Sequence, residues 1–449
     1  MLRRLKIAVI GSGISGLSAA WLLSQRHAVT VFERERHAGG HSNTVEAPGP
    51  GGPIPIDTGF IVFNPRSYAN LVAFFAHLGI PTVPTRMSFA VSLDGGRYEY
   101  SGSGLKGLLG QPSNVLRASH WLMLADTLRF FRESRALLSA SADDGVTLGT
   151  YLAAKGYSPS FIERHILPMA AAIWSTPSAD VLNFPAAAFV RFFDNHGLLQ
   201  ARNRPEWRTV VGGSRVYVAR ILEQIGGTIA RERPVTRISR TADGAVVTHA
   251  GGSEPFDACI VATHADEALA LLADPDADER RLLGAFRSTS NHAVLHTDPT
   301  FMPRRRRLWS SWNYLGSGQG GSAKLSLSYW MNSLQPLGPA PDYFVTLNPD
   351  RAMTRGSEVA AFDYRHTMLD QAAMTAQRSL WSLQGRRHTW FCGSYFGYGF
   401  HEDGLQAGLA AAEDIGGFRR PWSVADESGR IHLTPRRSAT GRMAREAVA

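Results

Sequence analysis

Cysteine is almost missing from this chain of 449 residues: Cys259 and Cys392 are the only two. They form no C-x-x-C pair, which argues against a disulfide framework or a zinc site and fits a reducing cytoplasm. Long apolar runs are missing as well. No stretch of eighteen or more apolar residues occurs, so no transmembrane helix is expected. Arg3-Arg4 before an apolar stretch imitates a signal peptide. That stretch carries three spaced glycines that cleavage would remove, so it reads as mature protein. Acids are outnumbered, with 38 Asp and Glu against 47 Lys and Arg and a net charge of +9. Residues 418–449 hold seven Arg against three acids, and Arg304–Arg307 form a second basic cluster. No nucleic-acid motif accompanies this charge. It reads as a solvated loop and a loose tail, with a peripheral membrane contact left open. The hydrophobic content of 44% and charged content of 19% exclude a disordered chain. The length suits two intertwined domains.

What is present is glycine, 44 of them, and above all the run IAVIGSGISG at 7–16. Ile7 to Ile10 read as a buried parallel strand. Gly11, Gly13 and Gly16 follow in GxGxxG spacing, and Ile14 and Ser15 open an apolar helix that runs through Leu17–Leu23. A β-branched run, Ala28 to Phe32, ends in Glu33, 22 residues after Gly11. Strand, glycine turn, helix, strand and acid in this order form a dinucleotide-binding fingerprint. Gly11 permits the turn, Gly13 lets backbone approach a pyrophosphate, and Gly16 lets helix and strand pack closely. The helix N-terminus offers N–H groups and a positive dipole end to phosphate. Glu33 is placed to accept ribose hydroxyls.

After Glu33 come Arg34-Glu35-Arg36-His37-Ala38-Gly39-Gly40-His41. An acid, a base, a short spacer and a Gly-Gly pair resemble the second fingerprint of the FAD-dependent amine oxidase superfamily. Within it the chain looks most like the bacterial group of predicted NAD/FAD-binding amine oxidases. Asp57-Thr58-Gly59-Phe60 is similar to the superfamily's D-x-G segment, and Thr389–Ser394 to its C-terminal FAD strand. The resemblance spans about residues 5–416, with its specific motifs at the two ends. It implies an α/β fold: a Rossmann-like FAD-binding domain with an interleaved α+β substrate-binding domain made of a mixed sheet and a helical part. The FAD domain would take 1–65, 201–285 and 386–417. The substrate domain would take 66–200 and 286–385, leaving 418–449 as a mobile tail. The cofactor would be FAD, bound non-covalently. Beside the glycines, Ile14, Ser15, Glu33, Arg34 and His41, the resemblance assigns Thr58, Gly59, Val235, Thr263, Gly393, Gly404 and Leu405 to the cofactor.

Pattern alone fills in the rest. Ser67 to Leu78 read as a helix stopped by Gly79, and Met87 to Tyr100 as a hairpin around Asp94-Gly95-Gly96. Residues 105–200 read as mostly helical. Asn291–Asp298, Trp309–Tyr314, Lys324–Trp330 and Tyr343–Leu347 read as strands of a mixed sheet, and Asp363–Leu383 as a helix. Another helix opens at His401, and little past Gly417 looks structured.

Flavin chemistry places a negative charge on the ring, and the helix near Gly404 is expected to aim its N-terminus at it. Many amine oxidases of the superfamily carry a lysine on a substrate-domain strand beside the flavin. Here His292 stands at that position, which puts amine oxidation in doubt; Lys324 is the second candidate, and His401 sits near the aromatic-cage position. No acid is evident for an ammonium group, and the helical part is greasy. The reading is therefore an FAD-dependent oxidoreductase removing a hydride equivalent from an apolar or lipid substrate, by amine oxidation or C–C desaturation. The alternatives are a redox-neutral flavin isomerase and a non-catalytic flavin-binding scaffold.

Overall fold

The computed structural model describes residues 3–138, 145–174, 181–200, 205–317, 324–425 and 427–433. Its organising layer is a five-stranded parallel sheet in the order β19-β13-β1-β2-β9. These strands are β1 (Lys6–Ile10), β2 (Ala28–Phe32), β9 (Thr228–Ala230), β13 (Ala258–Val261) and β19 (Thr389–Phe391). Ile7, Ala8, Val9, Ile260 and Val261 are wholly buried, as central strands covered on both faces must be. Helix α1 (Ile14–Ser24) links β1 to β2 and is buried along nearly its whole length. The cause lies in α8 (His401–Gly416) beside it. A Cβ on Gly408 would lie 2.2 Å from the Ser15 carbonyl oxygen, so glycine is what lets the two helices approach this closely.

A second, seven-stranded mixed sheet has the order β18-β14-β17-β16-β15-β6-β7. It contains β6 (Phe89–Leu93), β7 (Tyr98–Ser101), β14 (Arg287–His296), β15 (Trp312–Ser317), β16 (Lys324–Trp330), β17 (Phe344–Leu347) and β18 (Glu358–Met368). The β14–β18 pair is antiparallel and long, with Asn291 opposite Tyr364 and Thr289 opposite His366. Smaller sheets complete the strands. β10 (Val235–Arg240), β11 (Ala245–His249) and β12 (Gly252–Phe256) form a meander. β3 (Thr44–Ala47) pairs with β4 (Ile54–Asp57), and β5 (Thr82–Thr85) with β8 (Trp207–Val210).

The remaining named helices are α2 (Ala69–Leu78), α3 (Gly104–Leu108), α4 (Ala118–Glu133), α5 (Ala186–Asn195), α6 (Arg215–Gln224) and α7 (Gln371–Leu380). Between α3 and α5 the helical part has its own core, centred on Phe130, Phe161, Phe189 and Phe193. Helix α2 ends where the sequence places the stop, at Gly79 with φ 68°. Its N-terminus is held from outside: the buried Glu402 carboxylate accepts from the Asn70 and Leu71 amides, 3.0 Å each.

Two expectations change. Asp363–Leu383 is not one helix, since the chain stays extended to Met368 and only then forms α7. Asp370 caps α7 by accepting from the Ala373 amide. Leu71, Phe74 and Leu78 of α2, and Ala373 and Leu380 of α7, pack in the core around the parallel sheet. Finally, residues just past Gly417 are anchored. The Trp422 ring stacks on Trp21, and the buried Arg420 guanidinium pairs with Glu413. Arg430 Nε lies 2.7 Å from the buried Asp403 as an ion pair, without the alignment of a hydrogen bond. The rest of the predicted loose tail, 434–449, lies outside the described residues. The basic cluster is structural in part, because Arg305 pairs at 2.7 Å with the wholly buried Glu99.

Candidate functional site

The glycine turn after β1 is built as its spacing demands. Gly11 has φ 100°, and a Cβ there would lie 2.8 Å from the Ala262 oxygen. A Cβ on Gly16 would lie 2.0 Å from the Gly11 oxygen, an impossible contact. Gly13 is different. It is the N-cap of α1, no side chain caps that terminus, no acid lies in its first turn, and a Cβ would meet nothing within 4 Å. The second glycine pair closes over it: a Cβ on Gly40 (φ 58°) would come 3.2 Å from Gly13 Cα. An uncapped helix N-terminus between two bare backbones is a cradle for a pyrophosphate.

Glu33 does more than wait for a ribose. It accepts from the Ser12 amide at 3.0 Å, from the Ser12 hydroxyl and from the Glu35 amide at 2.9 Å. Ser12 in turn accepts from the Gly39 amide, so one acid ties both glycine motifs together. Arg34 turns outward to Glu267. Ile14 and Ser15 are buried under the turn, and Ser15 faces Gly404. Thr263 packs its methyl beside Gly11. Gly59 abuts the His41 carbonyl, where a Cβ would come within 2.2 Å. Gly393 leads from β19 into the turn of Tyr395. Val235 starts β10 and packs against the same core. The Leu405 side chain is wholly buried in that core, so only its backbone can face a ligand.

The candidate catalytic residues fare unevenly. His292 points to the outer face of its sheet, half exposed, and bonds to the exposed Asp363 at 2.9 Å. Strand alternation decides this, because successive side chains take opposite faces. The structure does not bring His292 to the glycine cradle. Lys324 opens β16, and its side chain lies outside the described residues. His401 stacks on Phe60 at 3.9 Å between ring centres, and its Nε2 lies 2.8 Å from the Tyr217 hydroxyl.

The inward neighbours on β14 and β18 escaped the sequence reading. The Tyr364 hydroxyl bonds to Thr58 at 2.7 Å and accepts from Asn43 at 2.9 Å. Its ring stacks on His41, and the His366 ring stands edge-on to His41 at 5.3 Å. The Asn291 side chain is buried and bonds to His366 Nδ1 at 2.9 Å. Here a chain of hydrogen bonds fixes a proton. The His292 amide donates to Asn348 Oδ1, so Asn348 Nδ2 donates to Asn291 Oδ1. Asn291 Nδ2 must then donate to His366 Nδ1, which leaves the His366 proton on Nε2. Asn348 holds a φ of 49° to make these contacts. The signal for this floor was present in Tyr364-Arg365-His366, two aromatic rings at strand spacing, but the stretch reads as helix without its partner strand.

Burial governs the electrostatics. It pushes His366 down to about 4 and His401 down to about 3, and lowers His41 well below its usual range. Neighbouring histidines add to the effect at His41, and among the described residues no carboxylate offsets it at any of the three. All are neutral at pH 7. The Arg365 backbone works the other way at His41, whose Nε2 is buried with no protein partner among the described residues. Asp57 lies deeper, pushed up to about 6 by burial, and holds Ser214, Thr44 and Gln335. It braces the loop that carries Thr58 and Gly59.

Comparison with known proteins decides what the cradle holds. The family model described as flavin containing amine oxidoreductase matches residues 14–329. The chain belongs to the flavin-containing amine oxidoreductase family. FAD, held non-covalently, is its cofactor, and the fit is visible here in the uncapped α1 terminus, the paired glycines and the unpartnered His41 Nε2. A Mycobacterium tuberculosis protein named "Putative flavin-containing monoamine oxidase AofH" is 28% identical over 284 residues, covering 60% of this chain and 59% of that one. The chain thus spans about 59% of the length of the curated relatives it matches. Two solved structures share the fold. Putrescine oxidase bound to putrescine is 15% identical with a TM-score of 0.65, over 92% of this chain and 99% of that one. A CLA-producing fatty acid isomerase from P. acnes is 16% identical with a TM-score of 0.63, over 92% and 98%.

Proposed function

We propose that this protein is an FAD-dependent oxidoreductase that removes a hydride equivalent from an apolar, uncharged substrate, either beside a nitrogen or across a C–C bond. The observation that carries this reading is the neutral floor: His41, His366 and His401 are uncharged at pH 7, and among the described residues no carboxylate stands against them. Asp57, whose charge reaches Tyr364, is engaged by Ser214, Thr44 and Gln335, so a cationic ammonium would find no free counter-charge there and an amine would react as its free base. FAD supplies the hydride acceptor at N5 and spreads the resulting charge over its pyrimidine ring. The residues do the rest. Gly13, Gly40 and the α1 terminus would hold the FAD pyrophosphate. Asn291 locks His366 with Nε2 as a donor, and Tyr364 is fixed by Thr58 and Asn43. His41 Nε2, buried with no protein partner among the described residues, is left for a ligand at this floor.

Anaerobic titration of the FAD-loaded protein tests the reading, with a panel of amines, fatty acyl lipids and carotenoids. Bleaching of the flavin by an uncharged apolar compound is the expected result. For an amine, the rate should rise with pH as free base accumulates. Conversion without bleaching would indicate a redox-neutral isomerase. No bleaching and no conversion would indicate a binding scaffold.

A further inference from the structure

The helical part carries an apolar face that no described residue covers. Leu105 on α3, Val115 and Leu116 on the turn Pro112–Leu116, and Trp121, Leu122 and Leu128 on α4 are all exposed, Leu116 by 90% and Leu105 by 76%. They form one surface. Leu108 of α3 and Met123 of α4 pack in one apolar cluster with Tyr98 and Tyr100, joining α3 to α4. The Trp121 indole donates to the Val115 carbonyl at 2.9 Å, locking the turn onto α4. Along α4 the exposed positions 118, 121, 122, 125 and 128 recur at three and four residues, so they are a stripe and not scattered side chains. The opposite side of α4, with Met123 and Phe130, is buried. A soluble domain rarely shows so many large apolar tips together without a partner.

Charge selects that partner. From Gly102 to Leu138 there are five bases and two acids. The acids, Asp126 and Glu133, are turned to Arg129, and Asp126 also accepts from the Ser158 amide. Lys106, Arg132 and Arg135 remain exposed around the stripe. A second copy docked on this face would set base against base. The chain's own 434–449 segment, with four Arg and one acid, is of the same sign. An anionic lipid surface meets both demands: its headgroups pair with the bases, and its acyl boundary accepts the leucines, with Trp121 at the interface. No described helix is long and apolar enough to cross a membrane, so the contact is peripheral. We infer that the α3–α4 face docks this protein on an anionic lipid bilayer. The inference stands apart from the proposed reaction, because binding is read without any substrate.

The test uses the full, FAD-loaded chain and sedimentable vesicles of phosphatidylcholine, with and without phosphatidylglycerol. The parent should sediment with the anionic vesicles and be released by salt. The double substitution Leu105→Glu/Leu116→Glu should bind at least about tenfold more weakly, with flavin absorbance and melting temperature unchanged. Arg132→Gln/Arg135→Gln should lower binding to the anionic vesicles alone. A parent that does not sediment, or a double variant that sediments like it, overturns the inference. So does a parent dimer, seen by light scattering, that the double variant dissolves. If the glutamate variants melt early, Trp121→Phe is read instead with brominated phosphatidylcholine in anionic vesicles. Loss of lipid quenching relative to the parent supports docking, and equal quenching overturns it.

Discussion

The two walls of the site are made of different materials. The wall on the parallel sheet is backbone: Gly11, Gly13, Gly16 and the Gly39-Gly40 pair clear space, and helix α1 points its terminus into it. The wall on the mixed sheet is side chain: Asn291, Tyr364 and His366, carried by two strands far apart in sequence. They meet where His41 stacks on Tyr364 and Thr58 bonds to it. The contrast separates two tasks. A backbone wall binds a cofactor whose phosphates need N–H groups and room. A side-chain wall of neutral groups can be tuned to one substrate without disturbing the fold.

If the division is right, the largest effect comes from filling the backbone wall. Gly13→Asp should fold, since a Cβ there meets nothing within 4 Å. It should still hold FAD at least about 100-fold less tightly, about 2.7 kcal/mol, because it puts bulk and negative charge at the α1 terminus. Titration of the apo-protein with FAD, beside a thermal melt, checks both halves. An unchanged affinity would move the pyrophosphate elsewhere.

Glu33→Ala should cost roughly 1.5–3 kcal/mol of FAD binding. The structure adds a second route to that loss, since Glu33 also holds Ser12, and Ser12 holds Gly39. The same titration reads it. Full affinity in the variant would leave Glu33 a structural tie between the two glycine motifs with no part in holding FAD.

The smallest net effect belongs to the side-chain wall and to acid, because buried histidines and buried carboxyls oppose each other there. His366 and His401 titrate at about 4 and about 3 in the folded protein, against 6.5 when unfolded. Between those values the unfolded state binds more protons, so stability falls as pH drops from 6.5 toward 4. Each such histidine contributes about 1.4 kcal/mol per pH unit in that window. Asp57 and Asp403, both pushed up to about 6 by burial, act with the opposite sign between 4 and 6. For these four groups the net loss toward acid falls between about 6.5 and 6, and below that the opposing contributions cancel, so His366→Asn should turn the balance below 6 toward a gain in stability. Melts of parent and variant across pH 7 to 5 check this, and the same pH dependence in both would mean that the His366 ring is not buried neutral.

The contrast also explains what the sequence could tell. The backbone wall is local: β1, turn, α1 and β2 lie within 30 residues, and glycine and β-branched spacing write it out directly. β2 runs Ala28–Phe32, as its composition predicts, and the hairpin at Asp94-Gly95-Gly96 lies between β6 and β7. The side-chain wall is non-local. Whether His292 or Asn291 faces inward depends on the pairing of β14 with β18, and a shift by one residue reverses it. The Ala360-Ala361 stretch gave β18 no clear alternation, so Tyr364 and His366 were read into a helix. The buried groups past Gly417 were hidden for the same reason, since Arg430 is placed by partners distant in sequence, the buried Asp403 and the Ser67 carbonyl among them.

The central claim is that chemistry faces the inner side of β14 and β18. The most direct measurement is rapid-mixing anaerobic flavin reduction of His366→Ala and His292→Ala, both FAD-loaded, by the panel compound that bleaches the parent. The account predicts that His366→Ala keeps the flavin spectrum and reduces about 10²–10⁴-fold more slowly, while His292→Ala reduces at the parent rate. Slow reduction in His292→Ala with an unaffected His366→Ala would contradict it and return the reacting face to the outer side of the strand.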